Sequence, residues 1–344
     1  MRKIRLLEPD NPNRSTGIVD GYTSGVLNWN DIPYPQFYEI YKSLRSNFWT
    51  PEEISMVKDI KKWNELDDAE KKAYKRIIGL LAILDSVQTN LIARVSDYIT
   101  DTSVHANFVE IASQEVIHNQ SYSYVLSSIV KLEEQNEVFD SARTDPEIMK
   151  RNQLIIDMYN EFDDNPTPLT LAKALLGSII LEGINFYSGF AFFYNLARQQ
   201  KMVGTSTMIS YIQRDEMQHG HFISMVLRAL LAENPEIDRN GEFSDFVYKT
   251  IDEAVQLEIN WSHEVLSDVK GIDLVEFDGY VKYIANKRVR QLGMDDLYEG
   301  YDENVMPWVK SFSDESMNNT KTDFFEQKSR SYGKLSDDNG FDDL

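Results

Sequence analysis

The spacing of apolar residues along the chain predicts long helices rather than strands. Apolar positions recur every three or four residues over most of the sequence, and we find no internal repeat and no strand-rich region. A first helix is predicted to begin at Thr50, which precedes a proline and is followed three residues later by Glu53. The other predicted helices cover approximately 67–99, 103–132, 145–162, 168–198 and 205–233, with further helical stretches over 244–292. The pattern therefore predicts an all-α fold.

The two ends of the chain lack this periodicity. Residues 1–30 are mostly polar and contain no apolar signal core, so we expect an irregular N-terminal arm. From Ser313 onward the sequence turns polar again and closes with SDDNGFDDL, which is typical of a flexible acidic tail. The expected organisation is an arm over 1–30, a helical domain over 31–312 and a tail over 313–344.

One predicted helix is long enough to cross a membrane. Residues 174–197 carry Glu182 as their single charge, and about 20 apolar residues can span a bilayer. A carboxylate in the middle of a span costs about 3 kcal/mol on insertion scales, whereas the neighbouring helices of a soluble bundle can supply partners for it. We interpret this segment as a buried core helix and expect no membrane partner.

Charge and cysteine content narrow the possible chemistry. The formal net charge is −21, a field that disfavours binding to nucleic acids and to anionic lipid surfaces. The absence of cysteine excludes disulfides, thiolate nucleophiles, cysteine-ligated zinc and iron–sulfur clusters, so any metal chemistry must use histidine and carboxylates. We expect a cytoplasmic protein without a nucleic-acid partner.

Four of the predicted helices direct acidic side chains into the apolar core. Two of these helices each carry a glutamate followed three residues later by a histidine, on a face that is otherwise largely apolar. The other two each carry a single acid between apolar neighbours. The residues concerned are Asp85, Glu115, His118, Glu182, Glu216 and His219. Taken singly, either histidine could be a core residue satisfied by a nearby acid.

Taken together, these six residues predict a site for two metal ions. Four carboxylates in an apolar interior are costly unless a cation neutralises them, and two divalent ions supply the matching charge. Carboxylates suit hard ions, so the pair could be Fe/Fe, Mn/Mn or Mn/Fe. Two single acids with two Glu-x-x-His pairs match the dimetal site of ferritin-like four-helix bundles. The remaining histidines, expected to be ordinary surface or packing residues, are His105, His221 and His263.

Four segments that contain these residues resemble, in the same order, the ligand motifs of the class I ribonucleotide reductase small subunit. They are LLAILDSVQ, EVIHNQSY, LEGINFYSGF and RDEMQHG, and the resemblance extends from about Trp49 onward. That family generates the radical used to make deoxyribonucleotides, and the resemblance implies its ferritin-like fold. The implied metal positions are Asp85 with Glu115 and His118, and Glu182 with Glu216 and His219, some of the glutamates bridging.

The resemblance also implies a radical site. Tyr122 lies one helical turn beyond His118, in the place of the family's radical tyrosine. The apolar pocket that would shield it consists of Phe186, Phe190 and Ile212. The alternative is a core tyrosine bonded to Asp85, because some members of the family store the oxidising equivalent on the metals.

Three further residues resemble the family's radical-transfer path. Trp49 and Asp215 match its start near the metal site, and Tyr332 matches the tail tyrosine that relays to the large subunit. Without the resemblance, Trp49 would be a core aromatic beside a helix, and Asp215 a partner of Arg214 or of a lysine. The sequence departs from many relatives near Asn107 and Ile111, where they carry tryptophan.

The implied partners follow from the same family. Its substrate chemistry uses thiols, so a chain without cysteine must pass its radical to a cysteine-bearing large subunit. Phe341 and Leu344, among aspartates, are the expected anchors of a docking tail. A homodimer is also implied, while the need for an activating flavoprotein stays open.

Two alternatives use the same six ligands. A dimetal desaturase or hydroxylase would act on bound substrate but would not need Trp49, Asp215 and Tyr332. A metal-storage protein of ferritin type would not explain a tyrosine-bearing tail.

Overall fold

The structure, a computed structural model, describes residues 1–313. Eleven α-helices make up most of this part of the chain. The helices are α1 Gln36–Ser46, α2 Val57–Lys62, α3 Asp68–Ser96, α4 Thr102–Ile129, α5 Leu132–Thr144, α6 Pro146–Asp164, α7 Pro168–Ile180, α8 Tyr187–Arg198, α9 Val203–Glu233, α10 Glu242–Leu266 and α11 Leu274–Gln291. Within this range, extended backbone pairs at a single bridge, between Val19 and Ile99. The predicted all-α fold is confirmed.

The long helices of the core begin at well-formed caps. Asp67 and Glu70 form a reciprocal capping box at the start of α3, and the Asp101 carboxylate accepts from two backbone N–H groups at the start of α4. The first N–H groups of α9 are satisfied from another element, because the buried Asp59 of α2 accepts from Gly204 and Thr205 at 2.8 and 2.7 Å. These caps fix where each helix starts and therefore which residues face the core.

Residues 1–30 form no helix, but they are tied to the bundle. The Met1 amine donates to the carbonyl of Pro166 at 2.7 Å, and the Ile18 N–H donates to the Glu233 carboxylate at 2.7 Å. Ile18 is fully buried. The arm therefore packs on the helices through a few apolar and main-chain contacts.

Several predicted helix boundaries were wrong. Thr50 does form a capping box, but it starts only the 3-10 turn Pro51–Glu53, and the next helix begins at Val57. The helix predicted over 168–198 is interrupted by a π-helical turn, Leu181–Asn185, and the region 244–292 contains two helices. Helices α1 and α5 were not predicted; α5 is mostly polar and buries only Val138 and Ala142.

Two helical stretches, Asp68–Ser96 and Pro168–Arg198, are long and apolar enough to cross a membrane by length and composition. Most of the apolar window of each lies buried inside the bundle, and Pro168–Arg198 is the more deeply buried of the two. This burial agrees with the interpretation of residues 174–197 as a core helix.

The predictions for the acidic tail concern Tyr332, Phe341 and Leu344. These residues lie outside the described part of the chain.

Candidate metal centre

The structure brings the six predicted ligands together in the middle of the bundle. They come from α3, α4, the π-helical turn between α7 and α8, and α9, and all six side chains are buried. On α4 and on α9, the glutamate precedes the histidine by three positions, so that one helical turn places the carboxylate and the imidazole on the same face. The apolar neighbours on these faces are buried as well, which excludes bulk water from the cluster.

The ligand atoms form two overlapping groups. One contains Asp85, Glu115, His118 and Glu216, the other Glu115, Glu182, Glu216 and His219, and within each group one ligand atom per residue lies within 4.8 Å of the others. Glu115 and Glu216 belong to both groups. The structure thus places these two glutamates between the other four residues, an arrangement that the sequence left open.

Both histidines turn the same ring atom toward the shared glutamates. The Nδ1 atom of His118 lies 3.0 Å from Glu216 Oε1 and 3.5 Å from Glu115 Oε2. The Nδ1 atom of His219 lies 3.0 Å from Glu115 Oε1 and 3.2 Å from Glu216 Oε2. The arrangement is nearly symmetric about the two glutamates.

The unsatisfied oxygens of this cluster fit a pair of cations. Both carboxylate oxygens of Asp85 and of Glu115, Oε2 of Glu182 and Oε1 of Glu216 are buried without a hydrogen-bond partner among the described residues. The nitrogens nearest to the Glu115 and Glu216 oxygens are the two imidazole Nδ1 atoms, at 3.0 to 3.5 Å. Buried carboxylates need cationic partners, so this cluster requires either protonated imidazoles or bound metal ions. Two divalent ions satisfy both the charge and the hard oxygen donors.

The second nitrogen of His219 shows which tautomer the ring adopts. Gln114 donates its amide to the Leu44 carbonyl at 3.1 Å, which turns its side-chain oxygen toward His219 Nε2 at 2.9 Å. In the neutral ring that nitrogen carries the proton, which leaves the Nδ1 lone pair toward the carboxylates and available to a metal ion. The sequence analysis missed Gln114, although it directly precedes a predicted ligand.

The pKa values show that Asp85 and Glu182 are the acids that most need a cation. Burial, and then the charges of Glu115 and Glu216, raise the pKa of Asp85 well above its usual value. Burial and Glu216 do the same to the pKa of Glu182. Burial opposes ionisation of the two imidazoles, but the surrounding carboxylates outweigh it and raise their pKa. Contacts with His118 and His219 outweigh burial at Glu115 and lower its pKa to about 2. Metal ions would relieve the repulsion at Asp85 and Glu182 and keep both ionised.

Glu182 is held by a second residue that the sequence analysis missed. The Gln88 amide donates to Glu182 Oε1, while the Gln88 oxygen accepts from Tyr159 at 2.6 Å and from Ser178 at 3.2 Å. Gln88 is buried one turn beyond Asp85 on α3. A polar residue three positions after a predicted ligand, on the same face, was the available signal.

Trp49 and Asp215 lie beside His118. The indole Nε1 of Trp49 donates to Asp215 Oδ2 at 2.7 Å, and the same oxygen lies 3.4 Å from His118 Nε2. Arg214 contacts the other Asp215 oxygen at 3.2 Å, so the carboxylate also makes the ion pair considered from the sequence. Although burial opposes ionisation, His118, Arg214 and Trp49 lower the pKa of Asp215.

Tyr122 is buried on the ligand face of α4. Its hydroxyl interacts with the Asp85 carboxylate, although the two groups do not meet in ideal hydrogen-bond geometry. Burial, followed by the charge of the neighbouring Asp85, raises its pKa well above the usual value. The three residues predicted to shield it, Phe186, Phe190 and Ile212, are all fully buried.

The other three histidines lie apart from the cluster. His105 Nδ1 lies 2.9 Å from the carbonyl of Ser96, His263 pairs with Asp278 at 2.7 Å, and His221 is exposed. Their interactions are those of surface and packing residues.

Comparison with known proteins shows which protein family this chain matches. The family described as "Ribonucleotide reductase, small chain" matches residues 26–305. The chain is 47 % identical to the ribonucleoside-diphosphate reductase subunit beta of Halalkalibacterium halodurans, over 100 % of this chain and 99 % of the relative.

Solved structures of ribonucleotide reductase small subunits have a similar fold. The ribonucleotide reductase R2 subunit from Clostridium botulinum superposes with a TM-score of 0.87 at 34 % identity, covering 91 % of this chain and 98 % of that one. The dimanganese(II)-NrdF of Streptococcus sanguinis superposes with a TM-score of 0.75 at 25 % identity, covering 83 % of this chain and 98 % of that one.

Proposed function

Because the chain belongs to the family of ribonucleotide reductase small chains, we propose that its buried cluster holds two metal ions and that Tyr122 carries the radical they generate. The chain is the beta subunit of a ribonucleoside-diphosphate reductase, an oxidoreductase, and it has the ferritin-like fold of such subunits. The observation that supports the proposed site most strongly is the pair of overlapping groups of buried ligand atoms, each within 4.8 Å of one another, which four carboxylates and two imidazoles form in the core.

We assign the six proposed ligands to two metal positions. Asp85 and His118 would complete one position, Glu182 and His219 would complete the other, and both positions would share Glu115 and Glu216. When bound and activated by an oxygen species, the metal pair supplies the oxidising equivalent. Iron, manganese or a mixture suits these donors, and the dimanganese form of the Streptococcus relative is consistent with that range.

The surroundings of Tyr122 suit a long-lived radical. Loss of one electron from a phenol releases its hydroxyl proton, and the Asp85 carboxylate beside the ring is the base placed to accept it. The oxidised ring would then be a neutral radical in a site that bulk water does not reach. Exclusion of water and of other side-chain donors protects such a species from reduction.

Trp49, Asp215 and His118 form the proposed outward path. Trp49 is an oxidisable ring, and Asp215 links its N–H to a metal ligand through one carboxylate oxygen. Phe48, the adjacent residue, is exposed. The path therefore starts at the metal centre and ends next to the protein surface, where a partner can dock.

Three statements about partners and location belong to this proposal. The large subunit supplies the thiols that this chain lacks. A second copy of the chain packs on the outer face of α4, where Val109 and Val116 are exposed and the neighbouring Glu110 is paired with Arg45. Sedimentation should then give twice the mass of one chain. We place the protein in the cytoplasm.

The metal site is tested by metal analysis. After anaerobic loading with Fe(II) or Mn(II), we expect two ions per chain. Glu216→Gln removes a charge shared by both positions and should weaken binding by more than about 100-fold, since loss of outer groups alone costs about 10–100-fold.

Glu110→Gln is the matched control for this measurement, because Glu110 lies on α4 but pairs with Arg45 at the surface. It should bind two ions like the unmodified chain. Well under two ions in the unmodified, folded chain would contradict the proposed site.

The tail is tested by deletion. Removing residues 335–344 takes away Phe341 and Leu344, the proposed anchors, so reduction with the large subunit should be lost at low subunit concentration. Metal content and any Tyr122 radical should be unchanged. Tyr332→Phe should block turnover without weakening association. Normal turnover by the truncated chain would show that it docks elsewhere.

A further inference from the structure

The turn that carries Glu182 is not α-helical. Leu181–Asn185 forms a π-helical turn between α7 and α8, and all its residues are buried. A π turn shifts the main-chain hydrogen bonds to i→i+5 and interrupts the regular pattern of the α-helix around it. Its carbonyl oxygens need other donors when water is excluded.

Two buried arginines from different helices supply such donors. Arg288 of α11 donates its Nε to the Gly183 carbonyl at 2.9 Å, and Arg151 of α6 donates an Nη2 to the Asn185 carbonyl. Both side chains are 2 % exposed, which is rare for arginine. The two guanidinium groups thus hold the residue directly after Glu182 and the last residue of its turn.

Among the described residues, the hydrogen bonds of Arg288 include one to the π turn but none to a carboxylate. Its other hydrogen bonds go to the Tyr187 hydroxyl at 2.7 Å and to Gln291 at 2.9 Å, so its named hydrogen-bond partners are neutral. A buried cation bonded to neutral groups is costly in a hydrophobic core. Burying Arg288 here is understandable if its guanidinium group fixes the main chain of the π turn.

Gly183 makes the contact with Arg288 possible. A Cβ at this position would lie 2.6 Å from the Arg288 Nε and 2.7 Å from its Cδ, closer than real contacts allow. Glycine weakens a buried helix, so its presence here follows from the approach of the guanidinium rather than from helix formation.

Arg151 is anchored more firmly. Its Nε donates to Glu258 of α10 at 2.6 Å, and Glu258 also accepts from Ser188, at the start of α8. The ion pair therefore connects the far end of the π turn to α6 and α10. The two arginines hold the turn from two different helices.

We propose that Arg151 and Arg288 are positioning residues that keep this turn π-helical and so determine the affinity of one metal position, the one completed by Glu182 and His219. The inference rests on the proposed dimetal function. The other position uses Asp85 and His118, whose helices do not contain the turn. Loss of the guanidinium contacts should therefore weaken the two positions unequally.

The test is a Mn(II) titration of the full chain followed by electron paramagnetic resonance. Two bridged Mn(II) ions are exchange-coupled, whereas a single bound ion gives an isolated six-line spectrum. Arg288→Met should weaken the second equivalent by about 10-fold or more, in the range found for residues that orient metal ligands. The first equivalent should bind as in the unmodified chain, so that the six-line spectrum persists at two equivalents.

Three further variants keep the test decisive if Arg288→Met folds poorly. Gly183→Ala retains both arginines but displaces Arg288, and it should give the same selective loss. Arg288→Lys keeps a donor for the carbonyl and should restore part of the second binding step. For the other arginine, Arg151→Met is combined with Glu258→Gln, so that no buried carboxylate is left unpaired.

Arg76→Met is the matched control. Arg76 joins α3 to Asp145 and Glu264, so its loss should lower the thermal midpoint without separating the two binding steps. Binding of both equivalents with unchanged affinity in Arg288→Met and Gly183→Ala would overturn the inference, as would an equal weakening of both. Failure of the unmodified chain to bind two ions would instead contradict the proposed function.

Discussion

Tyr122→Phe is expected to abolish both the radical signal and ribonucleotide reduction while leaving two metal ions bound. The substitution removes only the hydroxyl, whose interaction among the described residues is with the Asp85 carboxylate, and it keeps the buried ring, so the bundle should remain intact. Phenylalanine is much harder to oxidise than a phenol that can give its proton to a neighbouring carboxylate. Turnover should fall by about 100-fold or more, the equivalent of about 2.7 kcal/mol in the barrier.

The measurement combines electron paramagnetic resonance of the activated protein with turnover in the presence of the large subunit. Tyr124→Phe is the control, because Tyr124 lies on the same helix but bonds to the carbonyl of Ile54, away from the ligand face. It should keep both signal and turnover. A Tyr122→Phe protein that retains both would show that the metals store the oxidising equivalent and that Tyr122 is a packing residue.

The helical periodicity was enough to predict the residues that meet at the centre of the bundle. Glu115 and His118 lie on one face because helical geometry places residues three apart together, and the same holds for Glu216 and His219. An acid on an apolar face is itself informative, since the cost of burying it requires a partner. These local rules were sufficient to nominate the ligands and to predict an all-α fold.

The division of the ligands between two positions depends on contacts between helices. Glu115 and Glu216 belong to both groups of ligand atoms because of the way α4 and α9 pack together, and the spacing of residues along one helix cannot predict that. Gln114 was missed for the same reason, because its role depends on the Leu44 carbonyl from α1. Residues that orient a ligand are therefore less visible in a sequence than the ligand.

The π turn is the clearest case of a feature outside the reach of periodicity. The predicted helix over 168–198 has the composition of one continuous helix, and Gly183 alone interrupts its larger side chains near Glu182. The reason for that glycine is Arg288, more than a hundred residues further along the chain. Backbone irregularity at this ligand is produced by tertiary contacts.

Trp49→Phe is expected to stop turnover while leaving the metal ions and the Tyr122 radical in place. The indole is the oxidisable ring nearest to the metal ligands on the proposed path, stacked on His118 with ring centroids 6.3 Å apart. Phenylalanine fills most of the same space but cannot donate to Asp215 and is not oxidised at the potential of an indole. Turnover with the large subunit should therefore fall by about 100-fold or more.

Trp63→Phe separates loss of this path from a general effect of losing a tryptophan. Trp63 is half-buried and packs edge-to-face on Tyr74. Trp63 itself directly follows α2, which carries no predicted metal ligand, so its replacement should preserve turnover. If Trp49→Phe also loses the radical, Trp49 is needed to build the oxidised site rather than to transmit from it. If Trp49→Phe turns over normally, the contact with Asp215 is structural and the radical leaves by another route. A stable radical without turnover is the combination that assigns Trp49 to transfer, because assembly and packing would both be intact.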